Sequence, residues 1–262
     1  MNHLEKAGRW LREPGVEIGA FKTPIPGIAP VYVDKFAEFA NEPCLADYYG
    51  EATALPFRDR TLRYVASSHV LEHVANPVLA LEEWCRVLRP GGVIYLVVPD
   101  KRYTWDRDRA TTPVAHLLED YARGTTACDG THIADFVEKV DWATFSPGTP
   151  PEAVAAKQAE LRASYEHAVG TGHEINIHFH VFEPASVLEL AGTLARLHPA
   201  RFDWEVVDQA ERFPSDNPNG FFVALRRRER WLDSLGNRWR SRRHRRNPQS
   251  ILRADARPFA AS

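Results

Sequence analysis

Residues 62–100 of this chain read as strand, helix, strand, with little freedom to be anything else. "LRYVASS", 62–68, is an apolar run of strand length. In "PVLALEEWCRVLRPGG", 77–92, Val78, Leu79, Leu81, Trp84, Cys85 and Leu88 recur at helical spacing until Pro90, Gly91 and Gly92 stop the helix. "VIYLVVPD" follows without a polar break, the pattern of a strand buried on both faces of a parallel sheet. A chain that alternates in this way predicts an α/β fold with a doubly wound sheet.

The flanking sequence extends the pattern. Residues 3–12 suggest a short helix, the apolar runs at 16–18 and 31–33 are strands one and two, and a third short strand is expected near 44–46. Residues 100–172 interrupt the alternation with helices near 112–122, 131–140 and 151–168 around a Pro-rich "SPGTPP". The core pattern resumes at "EINIHFHVF", then a helix over 184–197, a strand in "RFDWEVVD" and a last strand in "GFFVALRR". The expected architecture is a Rossmann-like, mostly parallel seven-stranded sheet in a domain over 1–225. A helical insertion over about 100–172 caps the substrate side after strand five, and a basic tail occupies 226–262.

Charge separates the two parts. Ten arginines stand against Glu229 and Asp233 over 226–246, which leaves residues 1–225 net negative although the whole chain is only −2. Trp231, Leu235 and Trp239 fall at i, i+4 and i+8 among those arginines, an amphipathic basic helix. Such a helix suits an anionic membrane surface, the acidic body of its own chain or a second subunit in a homodimer. The acidic body argues against nucleic acid as a partner. Cys44, Cys85 and Cys128 are odd in number and widely spaced, which suits neither a disulfide framework nor a zinc site. Reduced thiols in the cytoplasm are expected, with no export signal in "MNHLEKAGRWLREPG" and no apolar run long enough to span a bilayer.

In an open α/β sheet, ligands sit at the carboxyl ends of the strands, where the strand order reverses. Residues there are Glu17, Gly19 and Ala20 after strand one, Asp34 and Lys35 after strand two, Glu51 and Ala52 after strand three, Ser67, Ser68 and His69 after strand four, and Asp100 and Lys101 after strand five. An acid ending strand two, Asp34, is placed to accept two ribose hydroxyls.

Residues 50–100 resemble the class I S-adenosylmethionine-dependent methyltransferases throughout. The matching pieces are "EATALPF", "SSHVLEHV" and "EEWCRVLRPGG" running into an apolar strand. The resemblance implies S-adenosylmethionine as cofactor. It places Glu17 and Gly19, with Ala20, against the methionine part and Asp34, with Lys35, at the ribose. Glu51 and the Ala52 N–H fall at the adenine, and Ser67, Ser68 and His69 beneath the methionine. Two features depart from that family: "AFKTPIPGIAP" after Gly19 leaves no room for the usual helix, and Arg63 replaces an acid before strand four. "EIGAFKTPIPG", "VPDKRYTWDRDR" and "HFHVF" together resemble a bacterial subgroup associated with sugar or polysaccharide methylation.

A hydroxyl acceptor must lose a proton as it is methylated, and histidine is the common base near neutral pH. Alternation in "HEINIHFHVF" puts Ile175, Ile177, Phe179 and Val181 on one face and Glu174, Asn176, His178 and His180 on the other. His178 and His180 are therefore the leading base candidates, with Asp100 and His69 nearby. The same face is equally compatible with a structural hydrogen-bonded role. A chelating role would add Glu174, His173 or Asp100, and no metal is assigned. Lys101, Arg102, Tyr103 and Trp105 mix charge with aromatic faces, as binding a sugar or glycan would require. His73 reads as structural. The expected activity is O-methylation of a sugar hydroxyl. The alternatives are an N-, carboxyl- or C-methyltransferase of a small metabolite, or a non-catalytic interaction module on the same fold.

Overall fold

The computed structural model describes residues 1–39 and 41–228. Its main sheet contains β1 (Gly15–Ile18), β2 (Val31–Asp34), β3 (Tyr48–Tyr49), β4 (Leu62–Ser68), β5 (Leu88–Pro99), β6 (Trp204–Phe213) and β7 (Gly220–Arg227). Their order is β3-β2-β1-β4-β5-β7-β6. β1 to β5 pair in parallel, and β7 runs antiparallel to both β5 and β6. This is the expected Rossmann-like architecture, and the order reverses between β1 and β4, which sets a crevice at their carboxyl ends.

Among the described residues seven α-helices accompany the sheet: α1 (His3–Trp10), α2 (Pro77–Val87), α3 (Val114–Arg123), α4 (Gly130–Lys139), α5 (Trp142–Phe145), α6 (Val154–Gly170) and α7 (Pro184–Leu197). α2 starts where Asn76 accepts the N–H of Leu79 and Pro77 takes the first turn. One sheet face is covered by α2 and α7, whose Val78, Leu81, Trp84, Leu190 and Leu194 pack with Val16, Ile18, Val65, Ile94 and Leu96. Trp84 is fully buried and its indole N–H donates to the Ala52 carbonyl at 2.9 Å, fixing the loop after β3.

The other face lacks a helix after β1, as the prolines require. In its place α1 lays Ala7 and Leu11 on Tyr64, Tyr95 and Phe222 together with Ile25 of the proline loop. Lys6 and Trp10 both donate to Asp208, at 2.7–2.8 Å and 2.7 Å, tying α1 to β6. Two acids hold the loop itself: Glu17 accepts the N–H of Ile25 at 2.9 Å and Glu13 that of Ala29 at 3.0 Å. Gly19 turns with φ +68°, and a Cβ there would meet the Val70 side chain at 2.4 Å, so this position has no room for another residue.

Three expectations need correction. The third strand lies at Tyr48–Tyr49, not near 44–46, after a two-residue ladder of Glu38–Phe39 with Glu42–Pro43. The strand after the helix begins at Leu88, ahead of the apolar run. "EINIHFHVF" forms no strand: Phe179 and His180 both donate to the Glu72 carbonyl, Val181 bonds Thr112, and the Phe182 carbonyl accepts from Lys101. Half of its polar side is also buried, since His178 and His180 are 7% and 1% exposed, whereas Glu174 and Asn176 are exposed.

All three cysteines are free and buried. Among the described residues no helix is long and apolar enough to cross a membrane. The amphipathic pattern of Trp231, Leu235 and Trp239 lies outside the described residues.

Candidate active site

A cavity of about 810 Å³ opens at the carboxyl ends of β1, β2 and β4 and runs beneath the segment 100–183. Its sheet end gathers Glu17, Gly19, Ala20, Asp34, Lys35, Glu51, Ala52, Ser68 and His69, nearly all the residues expected to bind a cofactor. Ser67 is the exception. It is fully buried in β4 and does not line the cavity.

Asp34 closes β2 with its carboxylate accepting the N–H of Phe36 at 3.0 Å. Burial pushes its carboxyl up, against the pull of the backbone N–H groups of Phe36, Phe21 and Lys35. Lys35 bridges Glu51 at 3.0 Å and Glu174 at 2.5 Å, so it joins the sheet edge to the segment that roofs the cavity. Burial pushes the Glu17 carboxyl up to about 7, and its Oε2 has no hydrogen-bond partner.

The other end is built around His178. Its Nδ1 donates to Asp106 at 2.5 Å, leaving Nε2 as its second nitrogen, and its ring lies 5.2 Å from that of Trp105. Arg109, fully buried, donates to Asp106 at 2.7 Å, to the His178 carbonyl at 2.9 Å and to Asp135 of α4 at 2.9–3.0 Å. Burial pushes Asp106 up, but the His178 hydrogen bond and the Arg109 charge outweigh it and hold the carboxyl below its ordinary range. An ionised Asp beside a His fixes its tautomer and stabilises its charged form.

Glu72 and His73 complete this end, with potential ligand atoms of Glu72, His73 and His178 within 4.8 Å of one another. Burial pushes the His73 imidazole down to about 3 and that of His69 to about 4, so both are neutral. Burial also pushes the Glu72 carboxyl up to about 7, against the attraction of His178. The shift from 4.5 to about 7 means the folded state binds the proton more tightly. This contribution to stability is therefore present at acid pH and lost as pH rises through about 4.5–7, by about 3 kcal/mol. Glu72→Gln removes that loss, so its stability relative to the parent protein rises by up to about 3 kcal/mol between pH 5 and pH 8. Denaturant melts of both proteins at the two pH values measure this; an unchanged difference refutes a raised Glu72 pKa.

Five other expected residues lie away from the cavity. Asp100 is fully buried with its carboxylate gripped by the Arg102 guanidinium and backbone N–H. Lys101, Arg102 and Tyr103 form a 3₁₀ turn, with Arg102 also reaching Glu211 and Arg212 lying 4.1 Å over the Tyr103 ring. His180, also expected near the acceptor, is fully buried beside the Ala75 carbonyl. Of the residues expected at the acceptor, His69, Trp105 and His178 line the cavity. Sequence reading missed Glu72, Asp106 and Arg109. Alternating charges in "DRDR" give no sign of burial, and no periodicity marks a buried acid in "VLEH".

Comparison with known proteins now bears on this geometry. Residues 30–96, from the edge of β2 into β5, match the family model described as a methyltransferase domain. This segment is similar to a methyltransferase domain. It carries Asp34, Lys35, Glu51, Ala52, Ser68, His69 and Glu72, which together form one wall of the cavity. A stretch of 44 residues is 52% identical to an uncharacterized methyltransferase of Mycolicibacterium gilvum, covering 17% of each chain. Another of 122 residues is 30% identical to an uncharacterized 37.1 kDa protein in a transposon of Streptomyces fradiae, covering 43% of this chain and 34% of that one. The match thus spans about a third or less of the curated relatives. A Thermotoga maritima structure described as an S-adenosylmethionine-dependent methyltransferase, possible histamine N-methyltransferase, superposes with TM-score 0.45 at 16% identity over 87% and 88% of the chains. One from Methanosarcina mazei gives 0.46 at 18% over 88% and 100%.

Proposed function

We propose that the chain is an S-adenosylmethionine-dependent methyltransferase acting on a hydroxyl of a sugar or glycosylated acceptor. The carrying observation is the buried Asp106–His178 pair at one end of a cavity whose other end belongs to the methyltransferase segment. At about 810 Å³ the cavity lies high in the range of about 300–1,000 Å³ for small-ligand sites, leaving room for an acceptor beside a nucleoside. The residues fit that cofactor: an acid ends β2 at the switch point, and Glu17 offers an unpartnered buried oxygen.

In this reading Asp34 receives the ribose hydroxyls, Glu51 and the Ala52 N–H face the adenine edge, and Gly19 and Ala20 lie along the methionine. Bound there, S-adenosylmethionine supplies a sulfonium methyl group. His178 Nε2 takes the proton of the acceptor hydroxyl while Asp106 holds the imidazole and stabilises its cation. Trp105 offers a ring face to the apolar side of a sugar. An amine acceptor can arrive neutral and needs no such base, which is why the dyad favours oxygen.

Calorimetry with S-adenosylhomocysteine, followed by a transfer assay on glycosides, tests both parts. Saturable one-site binding and methyl transfer to a hydroxyl are expected. No binding overturns the cofactor assignment; methyl found on nitrogen or carbon overturns the acceptor assignment.

A further inference from the structure

His180 does not face the cavity because it belongs to a second cluster behind the Ala75–Asn76 wall. α3 contributes His116 and Asp120 at i, i+4, so both lie on one helical face. α4 contributes His132 from its first turn, and the segment following α6 contributes His180. One ligating atom from each of the four lies within 4.8 Å of the others. His116 Nε2 is 3.3 Å from Asp120 Oδ2 and 3.4 Å from His132 Nε2, and His180 Nε2 is 4.0 Å from Asp120 Oδ2. Four ligands held about 2.0–2.1 Å from a zinc ion stand about 3.3–3.4 Å apart at the corners of a tetrahedron.

Hydrogen bonding within the cluster leaves two buried atoms without a partner. Asp129 accepts from His132 Nδ1 at 2.9 Å, so His132 Nε2 carries a lone pair, 3.4 Å from His116 Nε2. Asp120 spends Oδ1 on the Thr125 hydroxyl, while Oδ2, on a residue 2% exposed, accepts no hydrogen bond. His180, 1% exposed, donates from Nε2 to the Ala75 carbonyl at 3.4 Å, and its Nδ1 has no partner. An unpaired carboxylate oxygen and an unpaired imidazole nitrogen in a buried place are costly unless a cation sits beside them.

We propose that His116, Asp120, His132 and His180 bind a structural zinc ion. Three imidazoles and one carboxylate suit a borderline divalent ion, and four protein ligands close the coordination sphere, as structural sites do. Asp129 behind His132 is the outer carboxylate that such histidines use to fix their tautomer. The ion pins α3, α4 and the 173–183 segment to Asn76, whose side chain already donates to the Asp120 carbonyl at 3.2 Å. It thereby fixes the wall that carries His178 without touching the acceptor.

The untagged full chain, loaded with zinc chloride and desalted, is expected to retain about one zinc per chain by elemental analysis. Cobalt loading gives the intense visible bands of a tetrahedral complex. Asp120→Asn and His132→Gln each lower retained zinc about tenfold, whereas His178→Gln does not change it. Circular dichroism verifies that the variants fold, and the cobalt spectrum of the parent chain needs no variant. No retained zinc and no tetrahedral cobalt bands overturn the proposal. So does zinc lost in His178→Gln but kept in His132→Gln, which would place the ion at Glu72, His73 and His178. S-adenosylhomocysteine affinity reports on the cavity separately, so failure of either reading is distinguishable from failure of the other.

Discussion

His178→Ala lowers kcat by about 10²–10⁴-fold on a hydroxyl acceptor, while S-adenosylhomocysteine affinity changes by less than about threefold. The imidazole is held from both sides: Asp106 takes Nδ1, and Arg109 grips both Asp106 and the His178 carbonyl. That fixed geometry matters because a base displaced by even an ångström loses much of its advantage. Asp106→Asn separates chemistry from packing, since its amide keeps the volume but loses the charge that stabilises the imidazolium. It is expected to lower kcat by about 10-fold or more with little change in KM. Full activity in both variants would remove the base role and favour an acceptor that needs no deprotonation.

The second large effect is at the sheet end. Asp34→Ala weakens S-adenosylhomocysteine binding by about 10²-fold or more, because hydrogen bonds to a charged partner contribute about 1.5–3 kcal/mol each and two hydroxyls are involved. The carboxylate also receives the Phe36 N–H at 3.0 Å, so alanine loosens the turn as well. Asp34→Asn retains an acceptor for that N–H and reports the charge alone, with an intermediate loss of about 10-fold expected. Isothermal titration of the three proteins measures the series. Equal affinities would show that the ribose is held elsewhere.

Much of the sheet was legible because its central strands are unbroken apolar runs with stop signals at both ends. The sheet end of the site was equally legible, since topology alone puts Asp34, Glu51 and Gly19 at one crevice. The failures have physical reasons. "EINIHFHVF" alternates like a strand, yet from Ile177 on both of its sides are buried and its backbone pairs with Glu72 and Thr112, partners that no local pattern reveals. Strand three was misplaced because a two-residue edge strand carries almost no periodicity. Asp106 and Arg109 lie in a run of alternating charges that normally means a solvated surface; only the docking of α4 buries them. The histidine cluster draws on α3, α4 and the 173–183 segment, so the only trace in the sequence is the His116–Asp120 spacing.

The covering of the second sheet face by α1 has a consequence for how the chain acquires its structure. α1 lies far from β6 and β7 in the sequence, yet its Lys6 and Trp10 bond to Asp208 and its apolar side rests partly on Phe222. A contact between residues two hundred positions apart closes a very long loop, an entropic debt that slows folding.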